Sequence, residues 1–295
     1  MGKCVICGCS SSRVIYDGPI RMGMFGALSS EAHRIVRCSK CLAGSLANAF
    51  GSSEEYYQSE TYRKEVDGGA KADDYFRLHD AEQIRHLSIT GTGIFRGKVV
   101  ADIGCGGGSF LDGIRGYAAD ALAIEPSATF RASLKSRGYK AYAFVDDALT
   151  EYKGRIDLVT AFDVLEHVED PRSFLAGIQQ LLVTGGKVVL STPNSDDLLI
   201  EALPSEYSAF FYRKAHLWYF DREALLSLLR LAGFTDMRVI PHQRFGLGNF
   251  LGWLRDKRPQ GEISPSYISP ILDATWKAEL ERSFRCDCLY VEATA

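Results

Sequence analysis

The sequence is short of several things. No stretch approaches the ~20 consecutive apolar residues that a membrane-crossing helix needs, so membrane insertion is not expected. The opening residues Met1-Gly2-Lys3-Cys4-Val5-Ile6 lack the apolar run of a secretory signal. Ile6 stands where an N-myristoylation motif wants Ser or Thr, so Gly2 is not expected to carry lipid. Neither sign of charge dominates: 34 Lys and Arg against 37 Asp and Glu leave a net charge of −3. That balance offers no long-range attraction to nucleic acid, and basic residues do not cluster beside the cysteines. Internal repeats and low-complexity tracts are absent too. Together these absences point to a cytoplasmic location, where thiols stay reduced and cysteine pairs bind metal more often than they form disulfides.

What is present is an ordinary globular composition, 46% apolar and 24% charged over 295 residues, enough for one large domain and a smaller one or two. Five of the eight cysteines lie near the start, four of them as the pairs Cys4-x-x-Cys7 and Cys38-x-x-Cys41, with Cys9 a spare. Between them come the turn pair Gly18-Pro19, a glycine-dotted stretch around Gly23 and Gly26, and short β-type runs at 13–16 and 34–37. A segment this small and glycine-rich has little core of its own. Two such cysteine pairs can set four sulfurs about 2.3 Å from one zinc in a closed tetrahedron. A closed site is structural rather than catalytic, and its binding energy becomes folding energy. The alternatives are a redox pair or four unrelated buried thiols. Cys286-x-Cys288 lacks the spacing and reads as ordinary strand packing.

From 53 to 89 the pattern turns helical, with Tyr56, Tyr57, Tyr75 and Phe76 set among charges. Beyond Val99, strands at 99–103, 121–124, 140–145, 157–162 and 187–191 alternate with helices at 109–116, 128–136 and 171–182. This alternation predicts an α/β fold with a doubly wound parallel sheet and a ligand at the carboxyl ends of its strands. An aromatic-rich stretch at 207–220 follows, then an amphipathic helix N-capped by Asp221 and ended by Gly233. Residues 237–240 and 289–293 read as the last two strands, and the long segment between them, carrying Trp253 and Trp276, is expected to fold as a cap. The expected domains are a zinc-binding module at 1–52, a helical connector at 53–96, and a domain at 97–295 with cap segments near 195–220 and 241–285.

The glycine turn Asp102-Ile103-Gly104-Cys105-Gly106-Gly107-Gly108 follows the first strand of that series. Such a turn lets backbone approach a ligand closely and aims helix N–H groups at it. Its spacing is Gly104-x-Gly106-x-Gly108, not the G-x-G-x-x-G of dinucleotide folds. Asp102 would repel a pyrophosphate but suits a ligand with an amino group. Glu125, at the end of the next strand, can accept hydrogen bonds from both hydroxyls of a ribose. Of Asp146 and Asp147 after the third strand, Asp147 is the better placed to accept from an adenine amino group. Phe162-Asp163-Val164-Leu165-Glu166-His167-Val168 brings an aromatic ring and polar groups to the same edge.

With these motifs, and with Ala-Ile-Glu-Pro-Ser and Gly-Gly-Lys-Val-Val-Leu-Ser-Thr-Pro-Asn, the stretch from about Val99 to Asn194 resembles a class I S-adenosylmethionine-dependent methyltransferase. The resemblance implies a seven-stranded Rossmann-like sheet whose last strand, 289–293 here, runs antiparallel. It implies that the glycine turn meets the donor's amino-acid part, that Glu125 holds the ribose, and that Asp147 and Phe162 frame the adenine. Helices before the first strand often close over the donor in this family, which would place Tyr75, Phe76 and His79 there. The cysteine quartet resembles the zinc-ribbon methyltransferases of sugar and secondary metabolism, some of which methylate carbon on nucleotide-linked keto-sugars. Those carry a large further domain that this sequence lacks, so it fits better with shorter relatives found beside surface-polysaccharide genes.

Methyl transfer needs positioning, plus a base when the acceptor must lose a proton. His216 is one candidate base, since the resemblance places a His-x-x-x-Phe segment beside the acceptor pocket; its alternative role is packing or capping the next helix. His167 is the other, with fixing its own loop as the alternative. Arg213 and Lys214 could hold a phosphate or carboxylate on the acceptor, or simply be solvated. Trp253 and the region of Tyr267 would roof that pocket. The expectation is a small-molecule methyltransferase acting on a sugar or sugar-like metabolite, at oxygen before nitrogen or carbon, and releasing S-adenosylhomocysteine. A zinc-ribbon RNA methyltransferase and a catalytically silent donor-binding scaffold are the competing readings. The sequence carries no signal for the oligomeric state.

Overall fold

The computed structural model describes residues 2–23, 27–47, 72–262 and 264–295. Gly26 and the first part of the expected connector, with Tyr56 and Tyr57, lie outside the described residues. Among the described residues no helix is long and apolar enough to cross a membrane.

The first strands, β1 (Ser12–Gly18), β2 (His33–Cys38) and β3 (Gly44–Leu46), form an antiparallel meander. The main series is β4 (Val99–Ile103), β5 (Asp120–Ile124), β6 (Lys140–Tyr142), β7 (Ile156–Phe162) and β8 (Leu182–Pro193). A short β9 (Trp218–Tyr219), then β10 (Thr235–His242) and β11 (Cys288–Thr294), complete the set. Seven strands make one sheet in the order β10-β11-β8-β7-β4-β5-β6, with β11 antiparallel, as the sequence predicts. β4 pairs in parallel with β5 and β7, Ala101 opposite Leu122 and Asp102 opposite Thr160. Both faces of β4 are buried, which is why its sequence reads as a continuous apolar run and not as an alternation.

Two boundaries differ from expectation. The helix Pro171–Leu181 ends before Gly185-Gly186, and the chain passes directly into β8. Gly185 takes φ +75 inside that strand, and the Gly186 carbonyl accepts from the Ala295 amide at 2.9 Å. The third strand stops at Tyr142, and Val145–Tyr152 forms a helix.

The described residues group into two compact units. One lies within Phe50–Leu190, Ala232–Met237 and Glu292–Ala295. Its core joins Val100, Leu158 and Val189 of the sheet to Phe95, Phe110, Leu111, Ile114 and Leu134. The other lies within Met1–Ala49, Ser191–Leu231 and Arg238–Val291. Here β9 pairs antiparallel with β3, making a four-stranded sheet β1-β2-β3-β9. Ile20, Ile35 and Leu46 of the N-terminal segment share a core with Leu199, Leu203, Tyr207, Phe211, Tyr212, Tyr219 and Trp253. The segment that is too small for a core thus takes one from aromatic residues far along the chain, each of which can bury roughly 150–250 Å². Asp221 caps its helix as expected, accepting from the Ala224 amide at 2.8 Å, while Arg37 of β2 pairs with its other oxygen.

Candidate active site

At the carboxyl ends of the parallel strands lies a cavity of about 460 Å³, within the range typical of small-molecule sites. Each strand end supplies one wall: Ile103 and Gly104 after β4, Ile124 and Glu125 after β5, Phe144, Val145 and Asp146 after β6, and Asp163, Val164 and His167 after β7. The N-terminal turn of Pro171–Leu181 adds Ser173 and Phe174.

The glycine turn needs its glycines for space as well as for backbone freedom. Gly104 has φ +71, and a Cβ there would strike the Val164 side chain. Gly106 has φ +54, and a Cβ would enter the Tyr75 ring. Tyr75, on the helix Ala72–Thr90, thus lies on the turn, its hydroxyl donating to the Cys105 carbonyl at 3.4 Å. His79 stacks on Tyr75 at 4.3 Å and reaches Glu82 through Nδ1 at 3.0 Å. Arg137, which sequence reasoning missed, bonds the Gly107 carbonyl and pairs with Asp112, clamping the turn from outside. The Cys105 side chain joins the hydrophobic core, its thiol donating to the Gly106 carbonyl at 3.8 Å.

The acids divide into different tasks. Glu125 is buried at the cavity wall, where its two oxygens accept from the Gly106 amide at 2.9 Å and the Ser127 amide at 2.8 Å. These bonds lock the carboxylate to the turn it faces. Asp102 lies outside the cavity lining. Its carboxyl is buried in the sheet and accepts from the Thr160 hydroxyl at 2.7 Å, and burial, reinforced by the Glu125 charge, pushes its pKa up to about 7. It supports the turn from within the sheet. Asp147 accepts from the Phe144 amide at 3.0 Å as part of a helix cap, and of the pair it is Asp146 that lines the cavity. A carboxylate three residues into a helix reaches back to the free amide at its start, a signal that the aspartate pair in the sequence already carries.

The Phe162 ring stacks on His86 at 4.0 Å with an interplanar angle of 9°, and meets Phe110 edge-on at 5.0 Å. Strand alternation turns it toward those helices and leaves the cavity to Asp163 and Val164. Asp163 adopts φ +53, a strained conformation for a residue other than glycine and one that gathers at functional sites. His167 lines the cavity with the buried Glu166 behind it, Nε2 to Oε1 at 4.0 Å. His216 belongs to the other unit, buried, its amide donating to the Arg213 carbonyl at 3.0 Å and its ring 6.1 Å from Tyr219.

Residues 76–239 match the model of a family described as a methyltransferase domain. The chain belongs to that family. It is an S-adenosylmethionine-dependent methyltransferase. It is 28% identical over 187 residues to a ubiquinone biosynthesis O-methyltransferase of Pseudomonas aeruginosa, covering 57% of this chain and 81% of that one. A protein of the same description from Thiobacillus denitrificans is 30% identical over 178 residues, 54% of this chain and 77% of the relative. Among solved structures, a SAM-dependent methyltransferase of Archaeoglobus fulgidus shares the fold with a TM-score of 0.50 at 15% identity, covering 80% of this chain and 98% of that one. Phosphoethanolamine N-methyltransferase 2 of Haemonchus contortus, in complex with S-adenosyl-L-methionine, gives 0.51 at 15%, with 83% and 60% covered.

In the methyltransferase's other unit the four N-terminal cysteines converge. Cys4 and Cys41 lie with sulfurs 3.6 Å apart, Cys7 and Cys38 3.5 Å apart, and all four within 4.8 Å of one another. Tetrahedral zinc at about 2.3 Å from each sulfur sets them about 3.8 Å apart, so the quartet fits that ion. The facing thiol of Cys41 pushes Cys4 down to about 5, toward the thiolate a metal takes. Two equivalent turns carry the pairs: the residue after the second cysteine of each has positive φ, Gly8 at +71 and Leu42 at +65. Trp253 is buried against Tyr207 and Phe210 at 4.9 and 5.1 Å, while Tyr267 is 73% exposed.

Proposed function

We propose that the methyltransferase acts on a hydroxyl of a small molecule, with its donor in the cavity at the sheet edge and a structural zinc on Cys4, Cys7, Cys38 and Cys41. His167 carries the reading, because it lines that cavity with a buried carboxylate at its back. Bound S-adenosylmethionine supplies a methyl group on a sulfonium and leaves as S-adenosylhomocysteine. Glu125 holds and orients the donor's ribose, Asp146 faces its base, and Tyr75 covers the glycine turn. His167 takes the acceptor's proton, and Glu166 stabilises the imidazolium that results. His216 is the second candidate base.

Two acceptor classes follow from different observations. The cysteine quartet supports a sugar or sugar-like hydroxyl. The relatives named for ubiquinone biosynthesis support a phenolic one. Labelled methyl transfer to paired panels of phenols and sugar derivatives separates them. His167→Ala is expected to lower kcat on the true acceptor by about 10²–10⁴-fold while S-adenosylhomocysteine binding in calorimetry is unchanged. Full turnover by that variant, with loss in His216→Ala instead, would move the base to His216. Methylation of RNA alone would overturn the small-molecule reading, and donor binding without transfer to any panel member would leave a scaffold.

A further inference from the structure

One cation of the N-terminal unit has no visible reason to be where it is. Arg21 is bracketed by the stretch after Phe211: its amide donates to the Tyr212 carbonyl and its carbonyl accepts from the Lys214 amide, both at 2.9 Å. Those bonds set Arg21 directly opposite Arg213 in a parallel bridge. Residues opposite one another in such a bridge point their side chains to the same side, and like charges so placed destabilise the pairing. The Arg21 guanidinium lies 4.0 Å from the centre of the Phe210 ring, and its Nε is buried without a hydrogen-bond partner.

The charges felt by Arg21 make the arrangement stranger. Burial, then Arg213, push its pKa down to about 10, with Arg244 acting in the same direction. Arg244 is already engaged by Asp287 at 3.1 Å, and Arg37 by Asp221. Among the described residues no carboxylate pairs with Arg21 or Arg213. A buried or half-buried guanidinium is ordinarily paired; here Arg21 lies over an aromatic ring that holds it in place, with Arg213 opposite it in the bridge.

We infer that Arg21 and Arg213 form an anion site that takes a phosphoryl group. A phosphate dianion matches two guanidiniums in charge, and its oxygens match their planar forks bidentately. The exposed Lys214 next to Arg213 in the chain adds charge at the rim. The ligand class is a phosphate monoester.

The test is calorimetry and thermal unfolding of the full, zinc-loaded chain with inorganic phosphate, glucose 1-phosphate and succinate at low salt. Phosphate and the phosphate ester are expected to raise the melting temperature of the wild type, and the ester to bind at least as tightly as the free ion. Arg21→Met and Arg213→Met should each weaken that binding at least tenfold, while their ligand-free melting temperatures stay level or rise. Arginines that serve the fold alone would give the reverse, unstable variants with unchanged phosphate response, and would overturn the assignment. So would succinate binding as well as phosphate, or free phosphate bound with the ester rejected. S-Adenosylhomocysteine binding, measured on the same samples, must persist in both variants. Its loss from the wild type would instead indict the donor reading.

Discussion

The two units of this methyltransferase are built on opposite plans. The donor unit is local: each cavity wall is a strand end and the few residues after it, so sequence neighbours are also neighbours in the site. The N-terminal unit is assembled from three distant stretches, with β3 paired to β9 and Ile35 packed in one core with Tyr219 and Trp253. Yet each buries one carboxyl whose pKa is driven up to about 7, Asp102 held by Thr160 and Asp197 held by Tyr207 and the Leu199 amide. The lesson is that a locally built site is specified by short motifs, whereas a site built from remote stretches needs other anchors, here a cysteine quartet and an aromatic core.

The largest effect should come from the anchor. Replacing Cys38 and Cys41 by serine is expected to remove about one zinc per chain and to cost the N-terminal unit several kcal/mol. Metal analysis and thermal unfolding check this. Donor binding should survive it, and its collapse would show that the units do not stand apart in stability. Next comes Glu125→Ala, expected to weaken S-adenosylhomocysteine about 10–100-fold, or roughly 1.4–2.7 kcal/mol, with zinc content unchanged; calorimetry on wild type and variant decides.

A smaller effect concerns pH. Asp102 ionises near 3.8 when unfolded and near 7 when folded. A raised folded pKa means stability present below about pH 4 and lost as pH rises toward 7, by a few kcal/mol at most. Denaturant unfolding from pH 4 to 8 should show that fall, Asp102→Asn should flatten its share, and Asp197→Asn the equal share from the other unit. An unaltered slope in both variants would refute the assignment. The smallest change compares the two cysteine turns. Leu42 occupies the left-handed conformation that Gly8 meets with a glycine, at a cost of about 1–2 kcal/mol. Leu42→Gly is expected to recover up to about 1 kcal/mol in unfolding experiments, the loss of side-chain burial offsetting the rest.

The same contrast explains what was legible beforehand. The main sheet, the glycine turn and the Asp221 cap could be read from apolar runs and turn residues, and the antiparallel last strand from the family resemblance. So could the cysteine quartet, whose spacing alone announces a tetrahedron. Where two adjacent residues share a motif only geometry separates them: Asp146 lines the cavity while Asp147 caps its helix, and Asp163 lines it while Phe162 packs on His86. The buried partner of Asp102, Thr160, lies on a strand far along the chain. The partnership of β3 with β9, the burial of Trp253 and the pairing of Arg21 with Arg213 left no local trace, since each depends on residues far apart in the chain.

That distance has a consequence during synthesis. The meander β1–β3 leaves the ribosome first, but β9 begins only at Trp218. At roughly 5–20 residues per second the wait is on the order of ten to thirty seconds. Through that interval Ile20, Ile35 and Leu46 lack Tyr207, Phe211, Tyr219 and Trp253 as partners, and the cysteine quartet can help keep the nascent segment in order.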